Sequence, residues 1–87
     1  MVKEKPAPPS PSARQIGRNL RHLREKAGLA QKDIAAVLGV SFQQVQKYES
    51  GRNHLPMDKL LVLKAFYGVG YEVFFSGITT QKIRRSE

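Results

Sequence analysis

The chain contains no cysteine. A disulfide framework and a thiolate metal site are therefore excluded, and the composition suits a reducing compartment. No apolar run approaches the length of a membrane span, and no apolar h-region follows Lys3 and Lys5. A glycine-rich phosphate loop, an HExxH helix and a GxSxG elbow are all missing. The two histidines, His22 and His54, fall on different elements without metal-ligand spacing and read as surface residues. There is no internal repeat. These absences predict a soluble, cytoplasmic protein that is not an enzyme and carries no cofactor and no metal.

Acidic residues are also scarce. Fifteen Lys plus Arg face seven Asp plus Glu, which leaves a net charge of +8. Such a balance suits a polyanionic partner, although a solubility surface produces the same total. At 87 residues the chain is one small domain. A domain of this size buries roughly 60–65% of its unfolded surface, so its core is thin.

Residues 1–12 hold four of the five prolines and almost nothing to bury. They read as a disordered or polyproline-II-like arm, with the folded domain at 13–76 and a flexible basic tail at 77–87. Ile16, Leu20, Leu23 and Ala27 recur at i, i+4, i+7 and i+11, the stripe of a first helix that stops at Gly28. Arg14, Arg18 and Arg21 repeat the same spacing on another face. A short second helix spans 31–38, with Ile34, Ala35 and Leu38 inward, Asp33 in its first turn and Gly39 as its stop.

A third helix starts at once. Ser41 is an N-cap, Gln44 completes a capping box, and Val40 with Val45 supplies a hydrophobic staple. Val45 and Tyr48 point to the core, and Ser50-Gly51 closes the helix. Only Gly39-Val40-Ser41 separates the second and third helices, so they must cross steeply as a helix-turn-helix. With Val45 and Tyr48 inward, Phe42, Gln43, Gln46 and Lys47 are left on or near the outer face. A fourth helix spans 58–67, with Leu60, Leu63 and Tyr67 on one stripe. Tyr71 to Phe75 reads as a short apolar fifth helix.

The stretch LRHLREKAGLAQKDIAAVLGVSFQQVQKYESG, residues 20–51, combines several features at fixed spacing. An LRxLR first helix is followed by Gly28-Leu29 before Gln31, then Ile34-Ala35, Gly39-Val40-Ser41 and a Tyr48-Glu49-x-Gly51 close. In this order they strongly resemble the lambda-repressor-like (Cro-type, or Xre) helix-turn-helix family, from about Ile16 to Phe75. The resemblance implies an all-α, compact five-helix bundle with its helix-turn-helix at helices 2–3. It implies a bacterial or phage-encoded chain, nucleoid-associated when bound. It further implies a sequence-specific double-stranded DNA-binding transcriptional regulator, a repressor, acting as a homodimer on an inverted repeat.

By the same resemblance, base contacts fall on Phe42, Gln43 and Lys47, with Gln46 beside them. Glutamine amides match adenine N6 and N7, and a lysine can donate to guanine O6 and N7. Phe42 cannot hydrogen bond. It either packs on a thymine methyl or folds against the helix surface. Phosphate contacts fall on Gln31, Lys32, Ser41, Gln44, Arg52 and Asn53, with a capping role as the alternative for Gln44. Arg24 and Glu49 correspond to a structural ion pair between the first and third helices.

Ala30 departs from the family, which usually has a Ser or Thr cap there, at a loss of about 1 kcal/mol. Lys64 stands where a small core residue is usual, so it either snorkels or the fourth helix is rotated. An alternative reading is an antitoxin-like module that binds a protein partner. Its contact surface would be Tyr71, Val73, Phe74 and Phe75, of which two or three are also expected in the core.

Overall fold

Ser10 opens the first helix. Its hydroxyl accepts a hydrogen bond from the Ala13 N–H at 3.1 Å, and Pro11 occupies the first helical turn. A proline is at home there, because that N–H has no partner within the helix. Helix α1 (Pro11–Lys26) therefore begins two residues before Ala13, inside the stretch read as an arm. The computed structural model describes residues 8–78. Residues 1–7 of the arm and 79–87 of the basic tail lie outside the described residues.

Three further helices follow: α2 (Gln31–Leu38), α3 (Phe42–Ser50) and α4 (Met57–Tyr67). Helix α3 packs against both α1 and α2, and α2 packs against α4. The core is built from Leu20 of α1, Ile34, Ala35 and Leu38 of α2, Val45 and Tyr48 of α3, and Leu60 and Leu63 of α4. Ile16, Leu23 and Tyr67 lie half-buried at its edge. Ala27, expected on the inner stripe of α1, is exposed, because it caps the helix rather than extending it.

The expected fifth helix is absent. Tyr71–Val73 form a single 3-10 turn, so the described residues hold four α-helices rather than five. A segment this short cannot offset the cost of nucleating a helix on its own. Its backbone is instead held by tertiary bonds. Asn19 Nδ2 donates to the carbonyls of Phe74 and Ser76, each at 2.8 Å. The Phe74 side chain is fully buried in the core.

Two cations settle local questions. Lys64 is half-buried and extends its ammonium to 4.8 Å from the Tyr71 ring centroid, while Leu60 and Leu63 remain buried. The lysine thus snorkels, and α4 keeps its expected inner stripe. Lys59 Nζ donates to the Leu38 carbonyl at 3.0 Å. It places a positive charge at the C-terminus of α2, where the helix dipole favours one.

Candidate functional site

The site is built around the α2–α3 junction. Gly39 ends α2 with φ of 69°, and its N–H bonds back to the Ala35 carbonyl. The Val40 N–H shares that acceptor at 3.0 Å. Ser41 then caps α3, its hydroxyl accepting from the Gln44 N–H at 3.1 Å. Because Val45 and Tyr48 are buried, the rotation of α3 is fixed. Phe42, Gln43, Gln46 and Lys47 all stand exposed on its outer side. Phe42 is 37% exposed, so part of the residue remains open to an outside contact.

The other half of the expected capping box is not made. Gln44 Oε1 accepts no bond from the Ser41 N–H, and Gln44 Nε2 donates instead to Asn53 Oδ1 at 2.9 Å. Asn53 lies in the turn that follows α3. Its N–H donates to the Lys47 carbonyl at 3.2 Å, and its Nδ2 donates to the Arg52 carbonyl at 3.0 Å. The box half that is missing at α3 is present at α2. There the Asp33 carboxylate accepts from the Ala30 N–H at 2.8 Å, while the Ala30 methyl can cap nothing.

Arg24 and Glu49 meet where α1 crosses α3. Arg24 Nε and Nη2 donate to the two carboxylate oxygens at 2.7 and 3.1 Å, and Nη1 donates to the Leu29 carbonyl at 2.9 Å. The side chains are 12% and 7% exposed. The hydrogen bond to Glu49 raises the Arg24 pKa, outweighing the opposing effect of burial. Gln31 joins the pair, its Nε2 donating to Glu49 Oε1 at 2.9 Å. The first residue of α2 is therefore tied to α3, and the other N–H of its amide is left for an outside acceptor.

The junction carries a positive surface. Lys32, Lys47 and Arg52 are exposed, and of the two acidic residues between Ala30 and His54, Glu49 is neutralised by Arg24. Ser41 and Asn53 are exposed as well, while Gln31 and Gln44 are half-buried. His22 and His54 are exposed and far apart in sequence. Among the described residues no group of three or more His, Cys, Asp or Glu side chains could hold a metal ion. Also among them, no helix is long and apolar enough to cross a membrane.

Of Tyr71, Val73, Phe74 and Phe75, the structure withdraws one from any contact surface. Phe74 is fully buried and Val73 is half-buried, whereas Tyr71 and Phe75 are 46% and 43% exposed. The larger apolar surface lies on α4. Leu61, Val62 and Phe66 are exposed on the side away from Leu60 and Leu63, a face that the single-stripe reading of this helix missed.

Gly17 was also missed. A Cβ there would collide with the carbonyl oxygens of Glu49 and Tyr48, so the α1–α3 approach depends on its absence. The signal was available: a glycine inside a helical pattern costs about 1 kcal/mol against alanine and commonly has a packing reason. Gly51 plays the matching part from α3, since a Cβ there would lie 2.9 Å from the Arg14 backbone.

Residues 15–73 match the family model described as a helix-turn-helix domain. The chain is 38% identical over 63 residues to a transcriptional regulator in the ATPase CF(0) region of Rhodospirillum rubrum, covering 72% of this chain and 58% of that protein. It is 33% identical over 67 residues to an HTH-type transcriptional regulator of Sinorhizobium medicae, covering 77% of this chain and 48% of that one. The chain thus spans about half the length of the curated relatives it matches. Among solved structures, the restriction-modification controller protein C.AhdI from Aeromonas hydrophila aligns with a TM-score of 0.66 at 25% identity, over 72% of this chain and 96% of that one. A transcriptional regulator from Listeria innocua shares the fold, with a TM-score of 0.67 at 24% identity, over 82% of this chain and 64% of that one.

Proposed function

The chain belongs to the helix-turn-helix domain family, and we propose that it is a sequence-specific double-stranded DNA-binding transcriptional regulator that represses as a homodimer on an inverted repeat. One observation carries this reading. The polar groups of Gln43, Gln46 and Lys47 stand exposed on one side of α3, while the amides of Gln31, Gln44 and Asn53 are engaged by neighbours. A helix so presented fits the major groove.

Phosphate contacts set the register, and base contacts then read the sequence. Lys32, Arg52 and the Ser41 hydroxyl supply the first kind, with the free N–H of Gln31 at the start of α2. Gln43 and Gln46 read adenine, Lys47 reads guanine, and the Phe42 edge packs on a thymine methyl. Two copies place their α3 helices about 34–36 Å apart, or a multiple of that. The exposed Leu61, Val62 and Phe66 of α4 supply the surface on which the copies meet. The alternative protein-binding module would use the exposed Tyr71 and Phe75, and a chain that binds one partner protein and no duplex would favour it.

Two variants test the assignment. Gln43→Ala relaxes preference at one or two base positions, at about 1–3 kcal/mol. Arg52→Ala weakens every duplex alike and lowers the salt slope by about one. If Gln43→Ala weakened all sequences equally, Gln43 would touch phosphate and the docking would be wrong.

A further inference from the structure

The Gln44–Asn53 bond joins two parts of the surface that the proposed function assigns to different tasks. Gln44 lies in the first turn of α3, between the base-reading positions. Asn53 lies three residues beyond the end of α3, next to Arg52. Their side chains meet at 2.9 Å. Asn53 is fastened at two further points, from its N–H to the Lys47 carbonyl and from Nδ2 to the Arg52 carbonyl. It thereby spans α3 from its first turn to its last. These bonds take up the Asn53 Oδ1 and one N–H of each amide, and so fix where both surface side chains sit.

We propose that Gln44 and Asn53 are positioning residues, a strut that holds the Arg52 turn in register with Gln43 and Lys47 on α3. This rests on the DNA-binding reading. The strut does not touch the nucleic acid. It fixes the distance between a phosphate anchor and the base readers before binding, so less ordering remains to be done on the duplex. Both residues are at the surface or half-buried, so one hydrogen bond between them contributes little to the fold.

The test is a double-mutant cycle read on duplexes that the wild-type chain enriches from a random pool. Gln44→Ala and Asn53→Ala each weaken binding by roughly three- to tenfold, the range of one net hydrogen bond. The double variant loses no more than either single one, because the partners act as a unit. Thermal midpoints measured in parallel show no matching coupling. Additive losses in affinity would make the two residues separate phosphate contacts and overturn the proposal. Coupling that appears equally in the thermal midpoint would make the pair a structural clasp and overturn it too. A wild-type chain that enriches no duplex defeats the DNA reading itself, and the strut with it. Enrichment by the wild type with additive variants defeats the strut alone.

Discussion

Arg24 and Glu49 face each other across the α1–α3 crossing as a two-bonded ion pair, with Gln31 of α2 on the same carboxylate. Three helices thus share one charged centre. Removing one partner leaves the other charge uncompensated at a half-buried position. Glu49→Ala is expected to cost about 3–5 kcal/mol in chemical denaturation. The double variant Arg24→Met/Glu49→Leu should be less destabilised than Glu49→Ala, since no stranded charge remains. Equal or greater loss in the double variant would show that the pair stabilises in its own right.

Gly17→Ala sets two effects against each other. Helix propensity alone predicts a gain of about 1 kcal/mol. The collision of the new methyl with the Glu49 and Tyr48 carbonyls opposes it, and backbone atoms cannot step aside as a side-chain end can. Overpacking of this kind costs about 1–3 kcal/mol, so the net change should be destabilising. A stability gain on denaturant titration would mean that α1 and α3 sit further apart.

Ala30→Ser should act in the other direction. Asp33 already accepts from the N–H of residue 30, so a hydroxyl there completes the box at α2. A gain of about 1 kcal/mol is expected, read as a shift in denaturation midpoint without a change in slope. The Asp33 N–H already donates to the Ala30 carbonyl at 3.0 Å, as the Gln44 N–H does to the Ser41 carbonyl beside the hydroxyl, so unchanged stability would mean that the added oxygen supplies nothing this bond lacks.

The α4 face makes a prediction about assembly. Val62→Glu or Phe66→Glu places a charge among residues that are 41–50% exposed and apolar. On an inverted-repeat duplex, sedimentation should show two wild-type chains bound but one variant chain. Affinity for the full site should fall by about a hundredfold or more, as the linked second contact is lost. Two variant chains bound at wild-type affinity would move the dimer surface away from α4.

How far the sequence could be read depended on how local the signal was. Gly39 and Ser41 fix the α2–α3 junction and Gly51 ends α3, all through contacts within a few residues, and the inward pair Val45 and Tyr48 then determines which side of α3 faces out. The stretch after Gly70 was misread because its apolar content suggested a helix. Its conformation is set instead by Asn19, 55 residues from Phe74 in sequence. Gln44 was half legible for a related reason. Spacing paired it with Ser41, and its N–H does reach the Ser41 hydroxyl, but its side-chain amide donates to the Asn53 oxygen nine residues ahead at 2.9 Å. The outer face of α4 escaped because an inner stripe and exposed apolar residues on one helix leave no single period to detect.

Whether α3 reads base sequence is decided by selecting bound molecules from a random duplex pool at about 150 mM salt, where non-specific binding is weak. The expected result is enrichment of an inverted repeat whose half-sites lie one helical turn apart, or a multiple of it. Recovery of no duplex, or of duplexes without enrichment, would contradict it and leave the helix-turn-helix as a scaffold for another partner.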